Sequence, residues 1–268
     1  MHFEYAGKSS REYGLILANV ETSRYASVSG KVQTTNVYHK LDQKNYYIGT
    51  STVDSPMVFD AEVVSEIPLG VETQRAVMKW LFHRNGYKKL FVDMFDDCDC
   101  ESYELVDGEP RRTYLNCRLL NPEKLEYNGG VVGYKFTIEC DSHLAWQEPV
   151  SETVSLRGGI NVAHSFTIGI DTDGGDYVYP EVVITTGEGE DSIQIINHSD
   201  DDARITRFDN IGPGTIITMN PSSGFVTDGF YDRFVNKNFV RFLDGDNNLT
   251  VIGDVVSVKF TWQNKRYF

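Results

Sequence analysis

Hydrophobic residues in this chain fall mostly in short runs separated by turn signals, several of them alternating with polar positions, and the elements they predict are strands. The segment from Met57 to Phe95 is different and reads strand, helix, strand. Val71, Val77, Met78, Leu81 and Phe82, with Trp80 beside them, recur at spacings of three and four. That spacing gathers them on one side of a helix spanning about residues 71 to 85. Asn85-Gly86 ends it, because glycine accepts the left-handed conformation that helix ends favour. The flanking runs, Met57 to Val64 and Lys89 to Phe95, are short and rich in β-branched and aromatic residues, as strands are. One apolar helix face therefore has one sheet to cover.

Before this unit, residues 3 to 20 read as one or two short strands whose apolar part is Tyr13-Gly-Leu-Ile-Leu17. From Glu21 to Thr52 the aliphatic residues thin out to Val28, Val32, Val37, Leu41 and Ile48. Tyrosines and small polar residues fill the rest. Asp42-Gln-Lys-Asn45 is a turn between two extended arms. These arms carry too few apolar residues to bury a core of their own, and an isolated hairpin is marginal in water. The expectation is a long hairpin, at about 21 to 52, that finishes its packing on another subunit. Tyr25, Val32, Val37, Tyr38, Tyr46 and Tyr47 are its candidate contact residues. A flexible loop is the plainer alternative, although long structureless loops are uncommon in compact domains.

Beyond the unit, residues 115 to 140 give the clearest hairpin. Lys124-Leu-Glu-Tyr127 leads into Asn128-Gly129-Gly130, after which Val132, Tyr134, Phe136, Ile138 and Cys140 alternate with polar or small residues. Asp141 to Pro149 breaks the pattern and marks a domain boundary. Val162, His164, Phe166, Ile168 and Ile170 then share one side of a strand. Further strands are expected at Glu181 to Thr186, Ser192 to His198, Ala203 to Phe208, Thr215 to Asn220, Phe239 to Leu243 and Leu249 to Ile252. The last, Val255 to Gln263, places Val256, Val258, Phe260 and Trp262 on one side. Turn signals separate these runs at the spacing of a β-sandwich. The expected core residues are Val77, Trp80, Leu81, Phe136, Ile138 and Trp262.

With 268 residues and 40% hydrophobic content the chain can bury substantial cores. A net charge of −14 argues against a surface that holds nucleic acid by neutralising phosphates. The start lacks the basic and apolar runs of a signal peptide, and no apolar stretch reaches the roughly 18 residues of a membrane span. The expectation is folding in a cytoplasm without membrane insertion. Cys98, Cys100, Cys117 and Cys140 would then remain thiols, with Cys117 and Cys140 acting as small buried hydrophobes.

Chemistry is sparse. Asp96-Asp-Cys-Asp-Cys-Glu101 lacks the two-residue spacing and second ligand pair of a zinc site and reads as a solvated turn. Asp171-Thr-Asp-Gly-Gly-Asp176 lacks the closing Glu of a calcium loop. Nucleophile-elbow, zinc-protease and phosphate-loop patterns are missing, and His2, His39, His83, His143, His164 and His198 sit singly on different elements. Neither a catalytic residue nor a metal or cofactor is nominated.

The order of elements nevertheless resembles a known family. A strand, a long polar hairpin, a strand, the Glu72-to-Arg84 helix with Trp80-Leu81, the strand Leu90 to Phe95 and the run Phe136-Thr-Ile-Glu-Cys140-Asp-Ser-His-Leu-Ala-Trp146 look like a siphophage distal tail protein (Dit). Tyr179-Pro180-Glu-Val-Val-Ile184, Ile193 to Asn197, Gly212-Pro-Gly214, Gly224-Phe-Val226 and Phe242 to Asn248 with Trp262 and Tyr267 extend the likeness to nearly the whole chain. The resemblance implies a mainly β protein in two parts. Residues 1 to 146 would form a ring-forming N-terminal domain, β-sandwich-like, with one packed helix and a projecting hairpin. Residues 152 to 268 would form a galectin-like C-terminal β-sandwich.

It further implies a structural, non-enzymatic role in the virion tail tip, after assembly in the bacterial host cytoplasm. Six copies would form a hexameric ring with a channel for DNA. This homo-oligomer would join the major tail tube protein to a tail-associated baseplate or fibre protein and offer attachment points for a receptor-binding protein. Two other classes are open on the residues alone. A carbohydrate-binding, lectin-like adhesion protein would use exposed aromatics, with Tyr177, Tyr179, Phe225, Phe230 and Tyr231 as candidates. A baseplate hydrolase would need a carboxylate pair, which the sequence does not single out.

Overall fold

Two cores organise the strands of the computed structural model, which describes residues 1–21, 31–39, 45–54, 56–92, 103–106, 109–159, 162–173, 177–189, 191–200, 203–227 and 229–267. Of residues 19–21, 31–39, 45–54, 103–106, 109–111 and 191 it describes the backbone alone. Met1–Gln147 with Arg266–Phe268 form one unit and Glu148–Lys265 the other. The protein is mainly β, with one α-helix among the described residues.

The first unit is built on an antiparallel sheet in the order Lys8–Ser9, Phe3–Tyr5, Lys88–Val92, Glu109–Tyr127, Gly130–Cys140, Val58–Ser65 and Leu15–Glu21. Its central pair is closed by a two-residue turn in which Asn128 (φ 49°) and Gly129 (φ 77°) adopt the positive φ that matches strand twist. Tyr134, Phe136, Ile138 and Cys140 alternate inward as their spacing predicts. Val132 does not. A bulge between Val131 and Gly133 inserts one residue, so Val131 turns into the core and Val132 is only half-buried. Gly133 must be glycine, since a Cβ there would lie 2.0 Å from the Val63 carbonyl oxygen. The stretch before residue 20 is also more broken than its sequence suggests. Tyr13 closes a 3-10 turn, Ser10–Tyr13, that Gly14 ends at φ 62°.

The helix runs Val71–Leu81 and stops before the expected residue 85. Phe82 is its C-cap, and Asn85-Gly86 lies in the following turn. Its core face is Val77, Trp80 and Leu81. Val71, expected on that face, is 64% exposed, and Met78 and Phe82 are half-buried. At 100° of rotation per residue, Val71 and Met78 fall roughly 100–120° round from Val77, on the flank. Trp80 anchors the helix to the sheet. It stacks against Phe3 and Tyr13 at centroid distances of 5.7 and 5.1 Å, and its indole N–H donates to the Tyr5 carbonyl at 2.7 Å. Phe82 meets Tyr134 and Phe136 edge-on.

Outside this sheet, Lys31–His39 and Asn45–Asp54 form an antiparallel pair that is a two-stranded sheet by itself. Glu21, the last described residue before it, pairs with Asp60 on the strand that follows it, so the chain leaves and re-enters the sheet at neighbouring points.

The second unit has two antiparallel sheets. One is ordered Val150–Ser155, Val255–Trp262, Glu181–Thr186, Ile216–Asn220, Phe225–Val226; the other Ala163–Ile170, Gly245–Ile252, Asp191–Asn197, Ile205–Ile211. Both contribute to one apolar cluster, with Ile184, Ile217, Val258 and Phe260 from the first sheet and Ile168, Ile195, Phe208 and Val251 from the second. This is sandwich packing.

Two expectations in this unit fail for identifiable reasons. Val256 is 44% exposed and Val255 takes its inward place, because a bulge opposite Thr185 and Thr186 makes Val256 the extra residue. Phe239–Leu243 is not a strand, although Val240 and Phe242 are buried and Phe242 bridges Val178. Side chains take the backbone carbonyls that a ladder would use. Arg204 donates to the Phe239 carbonyl, Asn197 to that of Arg241 and Asn247 to that of Leu243.

Candidate assembly surfaces

Of the residues expected to meet a second subunit, Tyr25 lies outside the described residues. Val32, Val37 and Tyr38 fall on the first arm of the hairpin, and Tyr46 and Tyr47 on the second. The register places Tyr38 opposite Tyr46 and Val37 opposite Tyr47, with an irregularity between Asn36 and Val37. Among the described residues neither arm pairs with a further strand. Each therefore presents an outer edge of main-chain donors and acceptors, the feature that invites another chain to pair.

The expected core residues divide between the two units. Val77, Trp80, Leu81, Phe136 and Ile138 share the first cluster, and Trp262 belongs to the second, where its indole N–H donates to Asn264 Oδ1 at 3.1 Å. Cys117 and Cys140, buried directly opposite each other on paired strands, belong to the first cluster. Burial is the largest cause that raises both thiols. The charges of Asp141 and Glu139 add to it for Cys140, which is pushed up to about 12; for Cys117 the additions come from Cys140 and Asp141.

These thiols are therefore held as unreactive S–H groups. In the unfolded chain a thiol ionises near pH 9. The raised folded value thus contributes stability that is fully present below pH 9 and is lost as the pH climbs to about 12. In a Cys98→Ser, Cys100→Ser background, a disulfide reagent at pH 8 is expected to modify neither thiol in the folded protein and both after denaturation. Rapid labelling of the native protein at pH 8 would contradict this.

The described histidines stay apart. The His83 ring pairs with the Met78 carbonyl, that of His164 with the Arg157 carbonyl and that of His198 with the Thr250 hydroxyl. Among the described residues no three His, Cys, Asp or Glu side chains gather as metal ligands would. The run Asp96 to Glu101, with Cys98 and Cys100, lies outside those residues.

The five aromatics considered for sugar stacking have different surroundings. Tyr177 lies under the Arg241 guanidinium at 3.6 Å, and Phe230 packs against the core. Tyr179, Phe225 and Tyr231 are exposed, with the Lys237 ammonium 3.8 Å from the Tyr231 ring centroid. Arg241 also donates to both carboxylate oxygens of Asp200, at 2.6 and 2.8 Å. The Asp200 side chain is wholly buried, and its hydrogen bonds are the main cause holding the guanidinium's proton more tightly than usual. Sequence reasoning missed this pair, because its members lie 41 residues apart and neither stands in a motif.

The family model described as "phage tail protein N-terminal domain" matches residues 1–142, and that described as "phage tail C-terminal domain" matches residues 145–262. No curated protein sequence matches. In fold the chain is similar to the crystal structure of the Dit protein of phage SPP1, described as a hub of the adsorption apparatus in phages infecting Gram-positive bacteria. The TM-score is 0.64 at 10% identity over 98% of both chains. It is also similar to a chain in the phage p2 baseplate in its activated conformation with strontium, with a TM-score of 0.50 at 10% identity over 100% of this chain and 99% of that one.

Proposed function

Because this chain belongs to the phage tail protein family whose two domain models it matches in order, we propose that it is a distal tail protein. Six copies close into a ring that joins the tail tube to the tip apparatus and leaves a channel for DNA. The observation that carries this reading is the hairpin Lys31–His39 with Asn45–Asp54, a two-stranded sheet that pairs with no other strand among the described residues. Such a pair is marginal in water unless something covers it. A neighbouring copy is the economical cover, since each copy can cover the next, and head-to-tail contacts close into a ring when the rotation allows.

The strongly acidic balance agrees with a passage that gives phosphates no counterion-releasing partner. In this reading the ring contacts the major tail tube protein on one side and a tail-associated baseplate or fibre protein on the other. Receptor-binding proteins attach at the outside, and the protein is a virion component that builds and does not catalyse. The sugar-binding alternative has less support, since Tyr177 and Phe230 are already engaged within the fold. Particle imaging with native mass measurement of the purified protein is expected to show closed rings at six times the chain mass of 30.3 kDa. A strict monomer at high concentration would overturn the proposal.

A further inference from the structure

Beside the helix Val71–Leu81 runs a cleft of about 350 Å³. Val71 and Met78 supply apolar lining, Tyr134 enters from the sheet, and Arg75, Lys79 and Lys124 supply positive charge. The helix builds this side by a stripe of every fourth residue, Val71, Arg75 and Lys79, and His83 follows just past its end. The hairpin register sets Lys124 directly opposite Tyr134.

Two features are unusual here. Acidic residues outnumber Lys and Arg by 39 to 25 in this chain, yet Arg75, Lys79 and Lys124 make no ion pair among the described residues. Tyr134, fully buried, has a hydroxyl that meets no hydrogen-bond partner among the described residues. An unmet buried donor is destabilising, and such groups are few in native structures. Burial also holds this phenol in its protonated, donating form. Lys124 and Met78 are unbranched and can shift, so a guest could reach the hydroxyl.

We propose that this cleft receives a carboxylate-bearing segment of a second copy of the chain. Arg75, Lys79 and Lys124 surround the carboxylate, the Tyr134 hydroxyl donates to it, and an apolar neighbour on the guest covers the exposed face of Val71. The inference rests on the ring proposed above and names one of its contacts. Charge complementarity selects the occupant, because the remainder of an identical chain is strongly acidic while this cleft is basic. A basic cleft meeting an acidic segment is also a head-to-tail contact, the kind a ring uses.

The test is sedimentation of the full chain across concentration and salt. It compares the wild type with Arg75→Glu/Lys79→Glu/Lys124→Glu and with the control Arg157→Glu/Lys259→Glu in the second unit. Circular dichroism checks folding in each. The triple variant is expected to associate about tenfold more weakly or worse, since close charge pairs across interfaces carry that much. The control should assemble as the wild type does, and added salt should weaken the wild type. Tyr134→Phe is expected to weaken association without lowering the thermal midpoint of the monomer.

A folded triple variant that assembles like the wild type would overturn this inference while leaving the ring intact. A wild type that never associates would overturn the ring itself. If the triple variant does not fold, Arg75→Gln/Lys79→Gln on the exposed helix face carries the same test, and unchanged assembly would again sink the inference.

Discussion

Replacing Trp80 by alanine is expected to destabilise the first unit by about 3–5 kcal/mol, the range for truncating a large buried aromatic. A domain is stable by only about 5–15 kcal/mol in total, so this one change removes a large share. Three losses combine. The cavity removes the stacking partners of Phe3 and Tyr13, which lie on different segments before the helix. The Tyr5 carbonyl, buried with its residue, loses the indole donor at 2.7 Å. The helix, whose core face is only Val77, Trp80 and Leu81, loses its largest contact with the sheet. Trp80→Phe separates these terms, since it keeps most of the ring stacking and loses the hydrogen bond. Its expected cost is smaller, with about 1–3 kcal/mol for the orphaned carbonyl and the remainder for reduced volume. Denaturant unfolding of the three proteins, compared at constant slope, checks the order wild type, phenylalanine, alanine. Equal midpoints for wild type and alanine would show that the helix is not held at this point.

What the sequence made legible was periodicity, and what it hid was departure from period. The alternation of Tyr134, Phe136, Ile138 and Cys140, or of Phe166, Ile168 and Ile170, reads directly onto a face because strand side chains repeat every two residues. One inserted residue flips everything beyond it. At Val131–Gly133 and again at Val255–Val256 a bulge exchanges which of two neighbouring valines is inside, and two adjacent valines look alike in a sequence. The helix was legible in kind but its face was rotated. Val71 satisfied the spacing rule while sitting on the flank, where it now borders the basic cleft.

Features that depend on distant partners left no local mark. The Asp200–Arg241 pair joins residues 41 apart, and the carbonyls of Phe239 and Arg241 are satisfied by Arg204 and Asn197, 35 and 44 residues away. The hairpin, by contrast, showed through what it lacked, because a stretch poor in aliphatic residues cannot close a core on its own side chains.

Excising that hairpin is expected to abolish assembly while leaving both units folded. Leu15–Glu21 and Val58–Ser65 pair with each other from Leu15 opposite Ser65 to Glu21 opposite Asp60, so the chain leaves and re-enters the sheet at adjacent positions. A short glycine-serine linker in place of residues 22 to 55 can therefore join the ends while keeping Met57, whose carbonyl accepts from the Cys140 N–H and whose N–H donates to the Ser142 carbonyl, and shortening a loop carries an entropic gain that varies only slowly with its length. Among the described residues the removed arms pair with no other strand, so the thermal midpoint should stay close to that of the isolated wild-type chain. Sedimentation and imaging should show monomers where the wild type shows rings. The comparison with the cleft variant is informative in its own right. Screening by salt should weaken the contact made by Arg75, Lys79 and Lys124 but should spare main-chain pairing along the hairpin edges, which carries no net charge. Rings that persist at high salt and vanish on excision would assign the principal contact to the hairpin, and rings that survive excision would remove the hairpin from the assembly altogether.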